Sequence, residues 1–190
     1  MTSMETDCGG WQAGDRELLI GEVGEAHAAI LLERATACGL ADGQVLLRDQ
    51  GEVGALYLLL EGRLSLSVEL GTHAIRIGEL DPGNWVGMEA LFLVGCQSAT
   101  TVAAVGDCRL MRLSFDDFAA VMSDAPETAC YLTHVLVPML IHRLRVLAQD
   151  PILDPVGQLM MPGEMSLPRD ARPHHAHGLA HFFKHLWGTD

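Results

Sequence analysis

Lysine is almost missing from this chain: Lys184 is the only one in 190 residues. With 12 basic against 25 acidic side chains, the formal net charge is −13. Nucleic-acid affinity comes largely from cationic side chains that neutralise phosphates, so this balance argues against a chain built to hold DNA. No run of apolar residues approaches the roughly 20 needed to cross a bilayer as a helix. The opening Met1-Thr-Ser-Met-Glu-Thr-Asp is polar and acidic, unlike a secretory signal, and a cytoplasmic location is the expectation. Cys8, Cys38, Cys96, Cys108 and Cys130 contain no C-x-x-C pair and are odd in number, which predicts reduced thiols rather than a disulfide frame. There is no P-loop and no nucleophile placed beside a base, so no enzyme is expected.

What the chain does have is an apolar content of 49%, enough to bury a core. The pattern is of short strands between glycine turns. Leu40-Ala-Asp-Gly43 and Val45-Leu46-Leu47 read as a turn and a strand. Ala55 to Val68 reads as a hairpin, with Glu61-Gly62 as its turn and alternation in its second half. Ile75, Ile77 and Leu80 repeat the alternation until Asp81-Pro82-Gly83 breaks it. Val102, Cys108, Leu110 and Leu113 supply the last strands. Such spacing predicts an antiparallel roll rather than a βαβ sheet.

Helices flank these strands. Asp15 to Cys38 has helical apolar spacing and is expected to divide at Gly21 and Gly24. Ser114 is a plausible N-cap for a short helix containing Phe115 and Phe118. A long helix is predicted from about Asp124 to Gln149, with Pro126 in its first turn. Leu132, Val135, Leu136, Met139, Leu140, Leu144 and Leu147 form its apolar face, which can serve a core or a dimer seam. Pro138 removes one of its backbone bonds.

The stretch Trp85 to Ala104, W-V-G-M-E-A-L-F-L-V-G-C-Q-S-A-T-T-V-A-A, resembles the phosphate-binding cassette of the cyclic-nucleotide-binding domain family. The resemblance implies an α+β, mainly β fold: an antiparallel β-roll or jelly-roll with N-terminal helices and a long C-terminal helix. It makes Gly87, Met88, Glu89, Ala90, Gln97, Ser98, Ala99 and Thr100 the candidate ligand-binding residues, with a cyclic nucleotide as the candidate ligand and no cofactor. Two positions depart from the family pattern. Met88 stands where the family has its ribose-binding Glu, and Gln97 where it has its phosphate-binding Arg. A neutral amide cannot pair a buried anion as a guanidinium does, which weakens binding by about tenfold or more. Glu89 is one position late. Restoring Met88→Glu together with Gln97→Arg is expected to gain affinity if the rest of the cassette is intact.

In catabolite-activator-like members the long helix forms the dimer seam and leads to a DNA-binding module. Here it leads to a segment punctuated by Pro151, Pro155, Pro162, Pro168 and Pro173, whose only bases up to Asp190 are Arg169, Arg172 and Lys184. That is too little charge and length for a winged helix-turn-helix. The expected organisation is a disordered start (1–14), a cyclic-nucleotide-binding-like domain (15–149), a proline-rich linker (150–173) and a histidine-rich amphipathic tail (174–190). If the tail is helical, His177, His181 and His185 share a face at a spacing that suits Zn²⁺ or Ni²⁺. Phe182, Phe183, Leu186 and Trp187 gather opposite and suit docking in trans to a protein partner or a second subunit.

The expectation is therefore a non-catalytic regulatory module derived from a cyclic-nucleotide sensor. It holds cyclic AMP weakly or not at all and docks through its tail. The alternative is a sensor that still binds a cyclic or other nucleotide in the roll. A filled roll interior favours the first and an open polar one the second. The charge balance predicts that the purified protein leaves duplex DNA unshifted in a gel at physiological ionic strength; a salt-sensitive shift would contradict it.

Overall fold

Strand β3 (Ala55–Leu70) is the central wall of the molecule. The computed structural model describes residues 10–70, 73–91, 97–147, 152–153 and 159–160. Within them, α1 (Ala13–Val23) and α2 (Glu25–Arg34) precede β1 (Thr36–Leu40) and β2 (Val45–Leu47). After β3 come β4 (His73–Leu80), β5 (Trp85–Val86), a 3₁₀ turn (Met88–Leu91) and β6 (Thr101–Ser114). Then follow α3 (Phe115–Asp124), α4 (Pro126–Leu147) and the short strands β7 (Ile152–Leu153) and β8 (Leu159–Met160). The sheet has six antiparallel strands in the order β1-β6-β3-β4, with β2 added to β6 and β5 to β3. This is the antiparallel roll that the glycine-turn spacing predicts.

Strand side chains alternate between faces, and β3 uses both. Leu56, Leu58 and Leu60 face a core shared with α1 to α4, where they join Leu19, Leu31, Leu132 and Leu136. Ala55, Tyr57 and Leu59 face the roll interior with Leu40, Leu46, Val102 and Leu110. Beyond the middle of the strand it is the even positions, Leu64 and Leu66, that fill the roll interior. Strict alternation would have turned them outward. The parity changes at a bulge, where the pairing of β3 with β6 shifts around Glu61. One extra residue exchanges the two faces of everything after it.

Gly62 is that bulge, and here the structure corrects the expected hairpin. No turn occurs at Glu61-Gly62; β3 continues through it to Leu70. Gly62 has φ +88°, and a Cβ there would lie 2.6 Å from the Asp107 carbonyl oxygen and 2.7 Å from the Cys108 sulfur. Glycine is needed for a bulge rather than a turn. The Asp81-Pro82-Gly83 turn is present as expected: Gly83 has φ +88°, and its N–H donates to the Leu59 carbonyl at 2.8 Å.

The N-terminal helices divide at Gly24 (φ +80°), while Gly21 stays inside α1. Residues Thr36 to Cys38, expected to end the second helix, instead belong to β1 and pair with Arg112 to Leu110 of β6. Ala37 and Cys38 are buried by that pairing, so tertiary contact outweighs the helical spacing. At α3 the predicted cap is present, with the Ser114 hydroxyl accepting from the Asp117 N–H at 3.1 Å. On α4, Leu132, Val135, Leu136 and Met139 are core, and the helix runs through Pro138. Its opposite side leaves Cys130, Val137 and Ile141 exposed. His27 of α2 bonds the buried Thr128 hydroxyl at 2.9 Å and stacks on Tyr131 at 4.6 Å, tying α2 to α4. Asp15 of α1, buried, pairs with Arg109 of β6 and accepts from the Gln12 N–H at 2.8 Å.

Within the segment expected to be a linker, β7 and β8 pair antiparallel, Ile152 with Met160 and Leu153 with Leu159. Residues 174–190, with the expected metal and docking side chains, lie outside the described residues.

Gly62→Ala is expected to lower stability by about 2–4 kcal/mol, from left-handed backbone strain plus the clash with β6. Chemical denaturation measures it, and a loss no larger than that of Gly14→Ala in α1 would contradict the bulge.

Candidate ligand site

The cassette residues fall in two places. Gly87 to Ala90 form the turn that follows β5. Gln97 to Thr100 precede β6 and lie against the loop from Arg48 to Glu52. Gly87 has φ +82°, and a Cβ on it would lie 2.5 Å from the Ala55 carbonyl oxygen. Only glycine lets the turn pass this close to β3.

Met88 is fully buried, in the helix-side core with Trp85, Leu56, Met111 and Leu113. Its side chain is a brick in the wall between roll and helices, whereas a ribose contact would have to come from the roll interior. A carboxylate at this position would enter an apolar core, so Met88→Glu carries a desolvation cost that any gained ligand contact would have to offset. Glu89 and Ala90 continue the 3₁₀ turn.

The other half of the cassette is held by backbone bonds. Gln97 is exposed and forms an antiparallel bridge with Glu52. The Gln50 N–H donates to the Ser98 carbonyl and the Ser98 N–H to the Gly51 carbonyl, each at 2.8 Å. Gln50 takes up φ +57° to make this exchange, a left-handed conformation that is uncommon for a side-chain-bearing residue. The Ser98 side chain is buried, and its hydroxyl donates to the Thr100 carbonyl at 2.7 Å. That bond already uses the hydroxyl proton that a phosphate would need. Ala99 is exposed and Thr100 half-buried. The Thr101 hydroxyl, missed in the sequence, accepts from the Asp49 N–H at 3.0 Å, and the Asp49 carboxylate accepts from the Glu69 N–H at 3.0 Å.

The cassette therefore sits beside Asp49 and Glu52, with Glu69 bonded to the first of them. Arg48 is the guanidinium of this loop and is exposed. The negative charges of this loop disfavour a phosphate beside it, and the backbone donors of residues 50 and 98 are already engaged. The signal for this loop was present in Arg48-Asp49-Gln50-Gly51, a run of turn-forming residues. Nothing local in it points to Ser98.

The roll interior is apolar. Leu40, Leu46, Leu59, Leu64, Leu66, Ile77, Leu80 and Leu110 pack together there. Among the described residues, the buried polar or charged side chains are Asp15, Asn84, Ser98 and Thr128, besides the phenol of Tyr57. Burial raises the Tyr57 pKa above its ordinary value, against a smaller opposing hydrogen bond from Arg112, so the phenol stays neutral at physiological pH. The described residues include no group of three or more His, Cys, Asp or Glu side chains placed to hold a metal ion. No described helix is long and apolar enough to cross a membrane.

An apolar roll, a glycine turn after β5 and a cassette strand leading into β6 define a sensor-type β-roll. Residues 39–125 match the cyclic nucleotide-binding domain model. Among solved structures, the chain is similar to a cyclic nucleotide-binding domain from Methylobacillus flagellatus KT, with 14% identity and a TM-score of 0.62 over 70% of this chain and 81% of that one. It is also similar to the catabolite activator protein of Thermus thermophilus, with 23% identity and a TM-score of 0.57 over 68% of this chain and 61% of that one. A third is the c-di-GMP responsive global regulator CLP of Xanthomonas campestris, with 18% identity and a TM-score of 0.53 over 66% of this chain and 65% of that one. At these identities the likeness establishes the fold. The chain thus spans less than two thirds of the length of the latter two proteins. No curated protein gives a significant match.

Met88→Glu is expected to destabilise the domain by roughly 2–5 kcal/mol, because it buries an unpaired carboxylate, whereas Met88→Leu conserves volume and costs less than about 1.5 kcal/mol. Thermal denaturation of the two variants decides the matter; equal melting temperatures would place position 88 outside the core.

Proposed function

We propose that this chain is a non-catalytic regulatory module derived from a cyclic-nucleotide sensor, without high affinity for cyclic AMP, that engages a protein partner or a second subunit through its tail. The observation that carries the first half is Met88, whose side chain serves the helix-side core. Three others support it. Gln97 brings no charge, the Ser98 hydroxyl is spent on the Thr100 carbonyl, and the loop that faces Gln97 to Thr101 carries Asp49 and Glu52. A buried cyclic phosphate without a cationic partner loses roughly 1.5–3 kcal/mol for each charge-assisted bond forgone.

The apolar filling of the roll favours this reading over a retained small-ligand sensor. The retained Gly87 turn, and the relative named as responsive to c-di-GMP, make that sensor reading the one to test beside it. The role of the tail rests on its composition, with Phe182, Phe183, Leu186 and Trp187 close together near the end of an otherwise acidic chain. The proposed organisation remains a roll domain (15–149), a proline-rich connection (150–173) and a docking tail (174–190). The histidines His177, His181 and His185 form its polar side and are its candidate metal ligands.

Calorimetric titration with cyclic AMP, cyclic GMP and cyclic di-GMP tests the ligand half. The expected result is no saturable heat at micromolar nucleotide for any of the three. Submicromolar binding of cyclic AMP would overturn the proposal, and tight binding of another nucleotide would establish the sensor reading.

A further inference from the structure

An apolar groove opens between the 3₁₀ turn, α3 and α4. Its volume is about 430 Å³, and its walls include Leu91, Phe118, Met122, Pro126, Ala129 and Cys130. That lies within the range of about 300–1,000 Å³ typical of binding clefts. Met122 on its rim is 49% exposed, and the apolar surface continues along α4 through Val137, 38% exposed, and Ile141, 43% exposed. The groove lies outside the roll and uses none of the cassette side chains Gln97 to Thr100. An open apolar surface of this kind gains by being covered.

The chain carries a cover of matching chemistry. We propose that the groove is the resting seat of the chain's own segment 174–190, docked in cis through Phe182, Phe183, Leu186 and Trp187. The proposal rests on the reading of this segment as a docking element and adds where it sits when no partner is present. Seated there, the docking side chains are withheld until a partner competes for them.

Reach and tethering favour this occupant over a second copy. From Cys130 to the end of α4 at Leu147 the helix covers about 26 Å, at a rise of ~1.5 Å per residue. The β7–β8 pair folds the chain back on itself, which leaves residues 161–173 to make most of the return. Those residues can extend to about 43–47 Å at ~3.3–3.6 Å each. A short tether that can span its gap gives an effective concentration in the millimolar range. A groove that holds the free segment with a Kd of ~0.1 mM would then be about nine-tenths occupied in cis. A second copy at micromolar concentration cannot compete with that.

Cys130 is an exposed thiol in the groove wall and reports its cover directly. The experiment follows the rate of N-ethylmaleimide modification at Cys130, resolved by peptide mass spectrometry, in the full chain and in the variant Phe182→Ser/Phe183→Ser/Trp187→Ser. The expected result is modification about tenfold faster in the variant, as follows from a cis occupancy near nine-tenths. The parent rate should not change with protein concentration, and adding the free 174–190 peptide should slow the variant again. Met122→Glu in the full chain should speed modification as the tail variant does. Equal rates in parent and variant would overturn the proposal. Protection that grows with protein concentration would overturn it too, placing the segment in a second copy while leaving the proposed docking function standing. Failure of that wider reading has a separate signature, in which the tail variant sediments and associates as the parent does whatever the thiol rate.

Discussion

A single strand must serve two cores at once, and most of the molecule follows from that. The stretch Ala55 to Leu60 is buried on both faces, with alternate residues in the roll and among the helices. A strand of this kind cannot slip by one residue, because a slip would exchange the two sets and put Tyr57 among the helices. Its edges are fixed as well, by β6 along one side and by β5 and β4 along the other. The helices are placed by the same constraint. They lie where the even-numbered leucines of β3 need cover, and Asp15–Arg109 and His27–Thr128 then pin α1 and α2 in position.

The bulge at Gly62 lets one strand change function midway. Before it, both faces pack; after it, one face packs in the roll and the other is exposed at Arg63 and half-buried at Ser65. Without the bulge, Leu64 and Leu66 would be outside and the roll half empty. The same logic explains Met88. The turn at Gly87 crosses so close to Ala55 that the next side chain enters the helix-side core, and an apolar residue suits it. The cassette thus has a structural role in this chain. Gly87 and Met88 close the wall between the cores, and Gln97 and Ser98 clamp the 48–52 loop through paired backbone bonds.

These two roles bear on function in the same direction. The Ser98 hydroxyl and the backbone donors of Gln50 and Ser98 are bonded to the protein itself, and Asp49 and Glu52 belong to the loop they face. Among the described residues, an apolar groove open to solvent lies on the helical side, between α3 and α4. In the regulatory module we propose, this groove offers an interaction surface on the helical flank rather than in the roll interior.

Local chemistry in the sequence determined much of this protein. Asp81-Pro82-Gly83 had to turn, Ser114 had to cap, and the alternation at Ile75, Ile77 and Leu80 had to make a strand, because each depends on residues within a few positions of itself. The family resemblance of Trp85 to Ala104 was legible for the same reason. Tertiary structure alone decided the rest. Glu61-Gly62 has the composition of a turn, and only the approach of Asp107 and Cys108 makes it a bulge. Thr36 to Cys38 has helical spacing, and only pairing with β6 makes it a strand. Met88 reads as a lost ligand contact until its burial beside Trp85 makes it a core residue. In each case the deciding partner is remote in sequence. Local pattern cannot encode which face of a strand meets which core, because that depends on the whole set of elements packing together.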